Sequence, residues 1–261
     1  MLYFFKKSVK YILFLVTLYS SSLSAIEIES LSHAVDVAGK QRMFTQKMLK
    51  DYAMIGIGNS FGTPRKDLDN IMDAFENHLE SLHSYTKNKE IRKHTSKIKK
   101  LWLSAKKILT ISPTKESVRG LQKELEVLLA ESNTVTQLFA KETGVASGEI
   151  INISGRQRML SQRMASLYML KVWGVDDDKF QEKMDSSMKL FKESLARLQA
   201  SKLNNSEIDK LLSKVKNSFL FFEVMNRSKY RFIPALIYKK SDDILKDMNS
   251  VTHKYVLVSK K

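Results

Sequence analysis

The sequence predicts an all-α fold of two tandem up-down four-helix-bundle units, packed against each other as a pseudo-dimer within one chain. Three observations carry this. Only three prolines and nine glycines occur in 261 residues, so long helices can run uninterrupted. Apolar residues recur at alternating steps of four and three, the narrow seam of a bundle helix, and no alternating β pattern competes. The sequence also overlies itself at an offset of 116 residues, which makes the architecture a duplicated unit.

Residues 1–25 carry Lys6, Lys7 and Lys10, an apolar run over 11–19 and a mostly small stretch over 20–25. This is the layout of a secretory signal peptide, with cleavage expected after Ser24 or Ala25. The apolar run is about half of the ~20 residues a spanning helix needs, so an uncleaved anchor is the weaker reading. A periplasmic address follows. Two units then fill residues 26–143 and 144–261.

Near the start of each unit, Val37-Ala-Gly-Lys-Gln-Arg-Met-Phe-Thr-Gln-Lys-Met48 lies over Ile153-Ser-Gly-Arg-Gln-Arg-Met-Leu-Ser-Gln-Arg-Met164, with six positions identical. The register holds without a gap through Tyr52/Tyr168, Gly58/Gly174, Phe75/Phe191 and Leu82/Leu198, and again at Asn133-Thr-Val-Thr136 over Asn249-Ser-Val-Thr252. Second helices follow from the seams Leu68, Met72, Phe75, Leu79, Leu82 and Met184, Met188, Phe191, Leu195, Leu198. Third helices follow from Ile98, Trp102, Ala105, Leu109 and from Ile208, Leu212, Val215, Phe219, Phe222. Fourth helices follow from Leu121, Leu125, Leu128, Val135 and from Ile237, Ile244, Met248, Val251, Tyr255. Breakers at 58–64, 112–113, 144–148, 174–178 and 233–234 separate them.

Composition excludes several functions. No cysteine means no disulfide scaffold, thiolate metal site or cysteine nucleophile. Lys and Arg number 44 against 28 Asp and Glu, a formal charge of +16, and removing the three leader lysines leaves the chain strongly basic. Anionic company is expected, including peripheral contact with anionic envelope surfaces. Nucleic acid is not: the lysines around Trp102 read as the solvated face of an amphipathic helix, and no nucleic-acid motif accompanies them. Glu80 and His83 have the spacing of a di-iron ligand pair but no counterpart at Ala196 and Gln199, and His33, His78, His94 and His253 read as surface residues. Asp176-Asp177-Asp178 reads as helix capping rather than a calcium loop. No phosphate loop, nucleophile triad or carboxylate pair is visible, so neither enzymatic activity nor a cofactor is expected.

One motif stands apart from the basic surface. On a helix, Arg42 and Gln46 are i,i+4 neighbours beside Gly39, and Arg158 and Gln162 repeat the arrangement beside Gly155. The glycine keeps that face shallow, so a second helix or an anion can approach. A guanidinium presents a planar fork that suits a carboxylate or trigonal oxyanion, and a nearby glutamine adds a donor. Both copies keep these residues while positions read as surface, Lys50/Ser166 and Ile55/Lys171, diverge. If the units pack as a pseudo-dimer, Arg42 and Arg158 converge on one site, where an anion relieves their repulsion.

The run Ile151-Asn152-x-x-Gly155-x-x-Arg158-Met159-x-Ser161-x-Arg163 resembles the first-helix signature of nitrate/nitrite sensor-kinase ectodomains (NarX-like). It resembles more closely the N-terminal domain of type IV pilus methyl-accepting chemotaxis transducers (PilJ-type). The likeness covers about twenty residues of the second unit and is weaker in the first, where Lys40, Phe44, Thr45 and Lys47 depart from it. The resemblance implies an extracytoplasmic helical sensor in which the motif arginine binds a small oxyanion, nitrate or nitrite first, near a two-fold axis. That role falls by position on Arg158 and Arg42. No second span, kinase or coiled-coil region is expected after Lys261, so a signal passes through a separate membrane sensor kinase or chemoreceptor. The alternative is a helical interaction module of a chemoreceptor or type IV pilus assembly that binds no ion.

Overall fold

Helix starts and stops are set by local chemistry. Ser30, Asn88 and Thr114 accept hydrogen bonds from amides two or three residues on, which satisfies donors the first turn leaves unpaired, and Pro64 and Pro234 sit at first helical positions. Gly58 and Gly174, equivalent in the duplication, both have φ of 72° just past a helix end, a left-handed conformation that glycine adopts without a Cβ clash. The computed structural model describes residues 26–58, 61–144, 146–227 and 233–259; the leader expected over 1–25 lies outside them.

Among the described residues there are eight α-helices and no strand: α1 (Leu31–Gly56), α2 (Pro64–Tyr85), α3 (Lys89–Leu109), α4 (Lys115–Glu142), α5 (Ala146–Val172), α6 (Phe180–Gln199), α7 (Ser206–Arg227) and α8 (Pro234–Val258). None of them is long and apolar enough to cross a membrane. Helices α1 to α4 pack as one ring and α5 to α8 as another, and α1 lies against α5, with α1 also touching α8 and α4 touching α5. The fold is therefore all-α. The breaker expected over 144–148 is shorter than that, because α5 begins at Ala146 and takes Gly148 into its first turn, where a Cβ would overlap Thr143.

Outer and central helices differ in what they bury. In α2 the seam is as its spacing predicts, with Leu68, Met72, Phe75, Leu79 and Leu82 buried; in α6 Met184, Phe191, Leu195 and Leu198 are buried, but Met188 is only half-buried and Ser187 beside it is buried instead. Helices α1 and α5 are buried nearly all round, because each touches helices of both units. This corrects one expectation. Lys50 and Ser166, read as surface positions, are fully buried, while Ile55 is half-buried and only Lys171 is exposed. At the far end of the pair a Cβ on Gly56 would overlap the Trp173 ring, so that glycine lets the indole lie on α1.

Candidate functional site

The crossing of α1 and α5 is built on two glycines. A Cβ placed on Gly39 would lie 3.7 Å from Gly155 Cα, and one on Gly155 would lie 3.6 Å from Gly39 Cα, so the backbones meet with nothing between them. The same two positions would lie 3.1–3.4 Å from Nη2 of both Arg42 and Arg158. The guanidiniums thus reach one small space from opposite helices. Both arginines are fully buried.

Their partners follow the duplication. Arg42 Nη1 donates to Asn133 Oδ1 on α4 and to Asn152 Oδ1 on α5, both at 2.9 Å, and its Nη2 donates to the Asn152 carbonyl at 3.1 Å. Arg158 Nη1 donates to Asn249 Oδ1 on α8 at 3.1 Å, and its Nη2 to the Asp36 carbonyl on α1 at 3.3 Å. Asn133 and Asn249 are equivalent positions, as are Asn152 and Asp36. Chemistry breaks the symmetry at that last pair. Asp36 Oδ1 forms an ion pair with Arg158 Nη1 at 2.7 Å and its Oδ2 one with Lys40 at 3.2 Å, whereas no described carboxylate lies within ion-pairing distance of Arg42.

The electrostatics register the difference. Burial, with Arg156 and Arg158 nearby, lowers the Arg42 guanidinium to about 9. Burial would raise the Asp36 carboxyl, but Arg158 and Lys40 outweigh it and hold the group below its ordinary value. Each arginine leaves its Nε without a hydrogen bond. A surface pocket of about 380 Å³ between the end of α4 and the start of α5 is lined by Lys141, Glu149 and Asn152 among others, so it reaches the amide that holds Arg42.

The other site residues expected from the sequence sit one turn further on. Gln162 Nε2 donates to the Ser241 carbonyl of α8 at 2.9 Å, and Gln46 Oε1 accepts from Ser166 Oγ at 3.5 Å. Both are buried, Gln46 bonded to the other unit and Gln162 within its own, and neither is hydrogen-bonded to a guanidinium. Gln41 and Gln157, retained in the same motif, donate to the carbonyls of Phe75 and Phe191 at 2.9 and 3.0 Å and pin α2 and α6 to the central pair. Asn133 and Asn249 were visible as a repeated Asn-x-Val-Thr; that they hold the arginines was not, since nothing in the spacing says which helix faces the motif.

A second buried polar cluster lies further along α1. Lys50 Nζ is 2.6 Å from Asp242 Oδ1, Lys47 Nζ is 3.1 Å from Asp51 Oδ2, and Tyr238 Oη lies 2.9 Å from Asp51 Oδ1 and 3.0 Å from Asp67 Oδ2. Burial raises the Asp51 carboxyl and the Tyr238 hydroxyl and, with Lys47, lowers the Lys50 ammonium.

The remaining sequence signals have plain roles. Glu80 pairs with Lys99 and His83 Nδ1 lies 2.8 Å from Thr95 Oγ1. Asp177 Oδ1 accepts the Lys179 amide ahead of α6. His78 departs from its surface reading: its ring packs edge-on against Phe44, its Nδ1 is buried with no hydrogen-bond partner, and burial with Lys40 nearby lowers it to about 4.

Nothing among curated proteins or solved structures matches the chain. A family profile does, over residues 26–135 and again over 140–219, so that each match takes in one copy of the glycine-arginine crossing motif. The duplicated helical chain, a chemotaxis-type module in two copies, belongs to the PilJ family, the type IV pili methyl-accepting chemotaxis transducer N-terminal domain.

Proposed function

We propose that the protein is an exported sensing module that takes a small oxyanion, nitrate or nitrite first, between Arg42 and Arg158, and passes its state to a separate membrane chemoreceptor or kinase. The observation that carries this is the convergence of both Nη2 groups on the Gly39–Gly155 contact, with Arg42 paired only to neutral partners. A buried cation without a counter-charge is unfavourable, and a small anion held at the Arg42 guanidinium, within reach of both Nη2 groups, supplies one. The pocket beside Asn152 gives the approach, with Lys141 at its edge; because both arginines are enclosed, entry requires the Asn152 side chain to swing aside.

Calorimetric titration of nitrate and nitrite into the wild type and into Arg42→Gln and Arg158→Gln tests the reading. Heat of binding in the wild type that disappears in either variant is the expected result. Equal affinity in all three proteins sinks it.

A second reading has its own support. Leu220, Phe221 and Val224 are exposed on α7, an apolar stripe that a partner helix of a chemoreceptor or pilus assembly would cover. Leu220→Asp with Val224→Asp then abolishes co-purification with a candidate chemoreceptor and leaves the anion titration unchanged.

A further inference from the structure

We propose that Asp36 is a built-in counter-anion that fills the Arg158 half of the two-arginine centre, and that its counterpart Asn152 leaves the Arg42 half for an external anion. The assignment of an external anion rests on the function proposed above; the role of Asp36 stands on the geometry alone.

The two positions make matching contacts with the opposite arginine. Each residue's backbone carbonyl accepts from Nη2 of the opposite arginine, at 3.1 Å for Asn152 and 3.3 Å for Asp36, and each side chain faces Nη1 of that arginine, at 2.9 and 2.7 Å. Each arginine takes an equivalent asparagine from the fourth helix of its own unit, Asn133 or Asn249. Asp and Asn have the same shape, so one half of the centre differs from the other by a single negative charge. At the crossing Asp36 pairs with Arg158 and Lys40, while the cations near Arg42 are Arg156 and Arg158 and no described carboxylate pairs with it. The missing charge is at Asn152, the residue the surface pocket reaches.

Two consequences separate this from two equivalent anion sites. One anion binds per chain, on the Arg42 side. An aspartate at position 152 also fills that side from within and locks the protein in the state the ligand would produce.

The test is thermal unfolding of the full chain with sodium gluconate, too large for the centre, replaced stepwise by sodium nitrate at constant ionic strength. In gluconate, Asn152→Asp is expected to melt about 2–4 °C above the wild type, the shift a modest gain gives a chain of this size, and to lose the nitrate-dependent rise that the wild type shows. Asp36→Asn is expected to melt lower in gluconate and to gain more from nitrate. The exchanged pair Asp36→Asn with Asn152→Asp restores the wild-type melting temperature, which keeps the test decisive should Asp36→Asn alone fail to fold. Asn152→Asp that melts no higher than wild type in gluconate overturns the proposal, as does Asn152→Asp that keeps the full nitrate response. A wild type indifferent to nitrate overturns the oxyanion function, while a stabilised Asn152→Asp in gluconate still supports Asp36 as the internal counter-charge.

Discussion

Helices α1 and α5 are two copies of one element with the same burial and different interiors. Where α1 has Lys47, Lys50 and Asp51, α5 has Arg163, Ser166 and Leu167. The first set builds a network with the buried Tyr238 and the half-buried Asp67 and Asp242. The second keeps a single ion pair, Arg163 Nη1 to Glu126 Oε1 at 2.9 Å, and is otherwise apolar around Leu167. Each arrangement ties a central helix to the fourth helix of the opposite unit, α1 to α8 and α5 to α4. At this level of the bundle, joining the units therefore does not require a buried carboxylate, since α5 has Leu167 where α1 has Asp51.

The largest effect expected from breaking this contrast comes from Asp51→Ala. It takes from the buried Lys47 its close carboxylate, leaves Lys50 only the partly exposed Asp242, and costs about 3–5 kcal/mol in urea unfolding. Lys50→Ser with Asp51→Leu, which copies α5, recovers most of that loss; a double variant as unstable as Asp51→Ala would show that α1 cannot adopt its twin's solution.

A smaller difference is expected at the crossing. Asn133→Ala removes a neutral acceptor from an arginine that has no carboxylate, at about 1.5–3 kcal/mol, whereas Asn249→Ala costs less because Asp36 still holds Arg158. Equal losses in denaturant melts would contradict the charge asymmetry.

The smallest effect is pH-dependent. His78 faces Lys40, Asp36, Arg158 and His33, and its folded value near 4 lies below the ordinary 6.5, so the unfolded chain takes the proton first. Its contribution is intact above pH 6.5 and is lost as pH falls toward 4, reaching about 1–2 kcal/mol by pH 5. His78→Ser, which copies Ser194 of the second unit, flattens the melting temperature between pH 7 and 5 if this is right, and leaves the slope unchanged if it is not.

How much of this the sequence displayed depended on how many neighbours a helix has. A helix with one buried face writes that face as a stripe, and the seam of α2 was readable residue by residue, that of α6 at every position but the half-buried Met188. A helix buried all round writes no stripe. In α1 the lysines looked solvated because lysine usually is, and nothing local shows that Asp242 and Tyr238 come from 190 residues away to enclose Lys50. The arginine motif was legible because it was written twice, and the convergence of its two copies follows once two glycines are seen as a place for helices to touch. The asparagines and Asp36 were hidden for the opposite reason: their role depends on which unit's helix lies across the crossing.

Covalent duplication gives the Asp36–Asn152 pair a freedom that symmetry would deny. In a two-fold dimer of single-unit chains, one codon sets both sides of the axis, so the centre would carry two aspartates or two asparagines, fully neutralised or fully cationic. With both units in one polypeptide the two sides are inherited separately. A centre with one aspartate and one asparagine is then a state that point mutation can reach and selection can adjust, one half at a time.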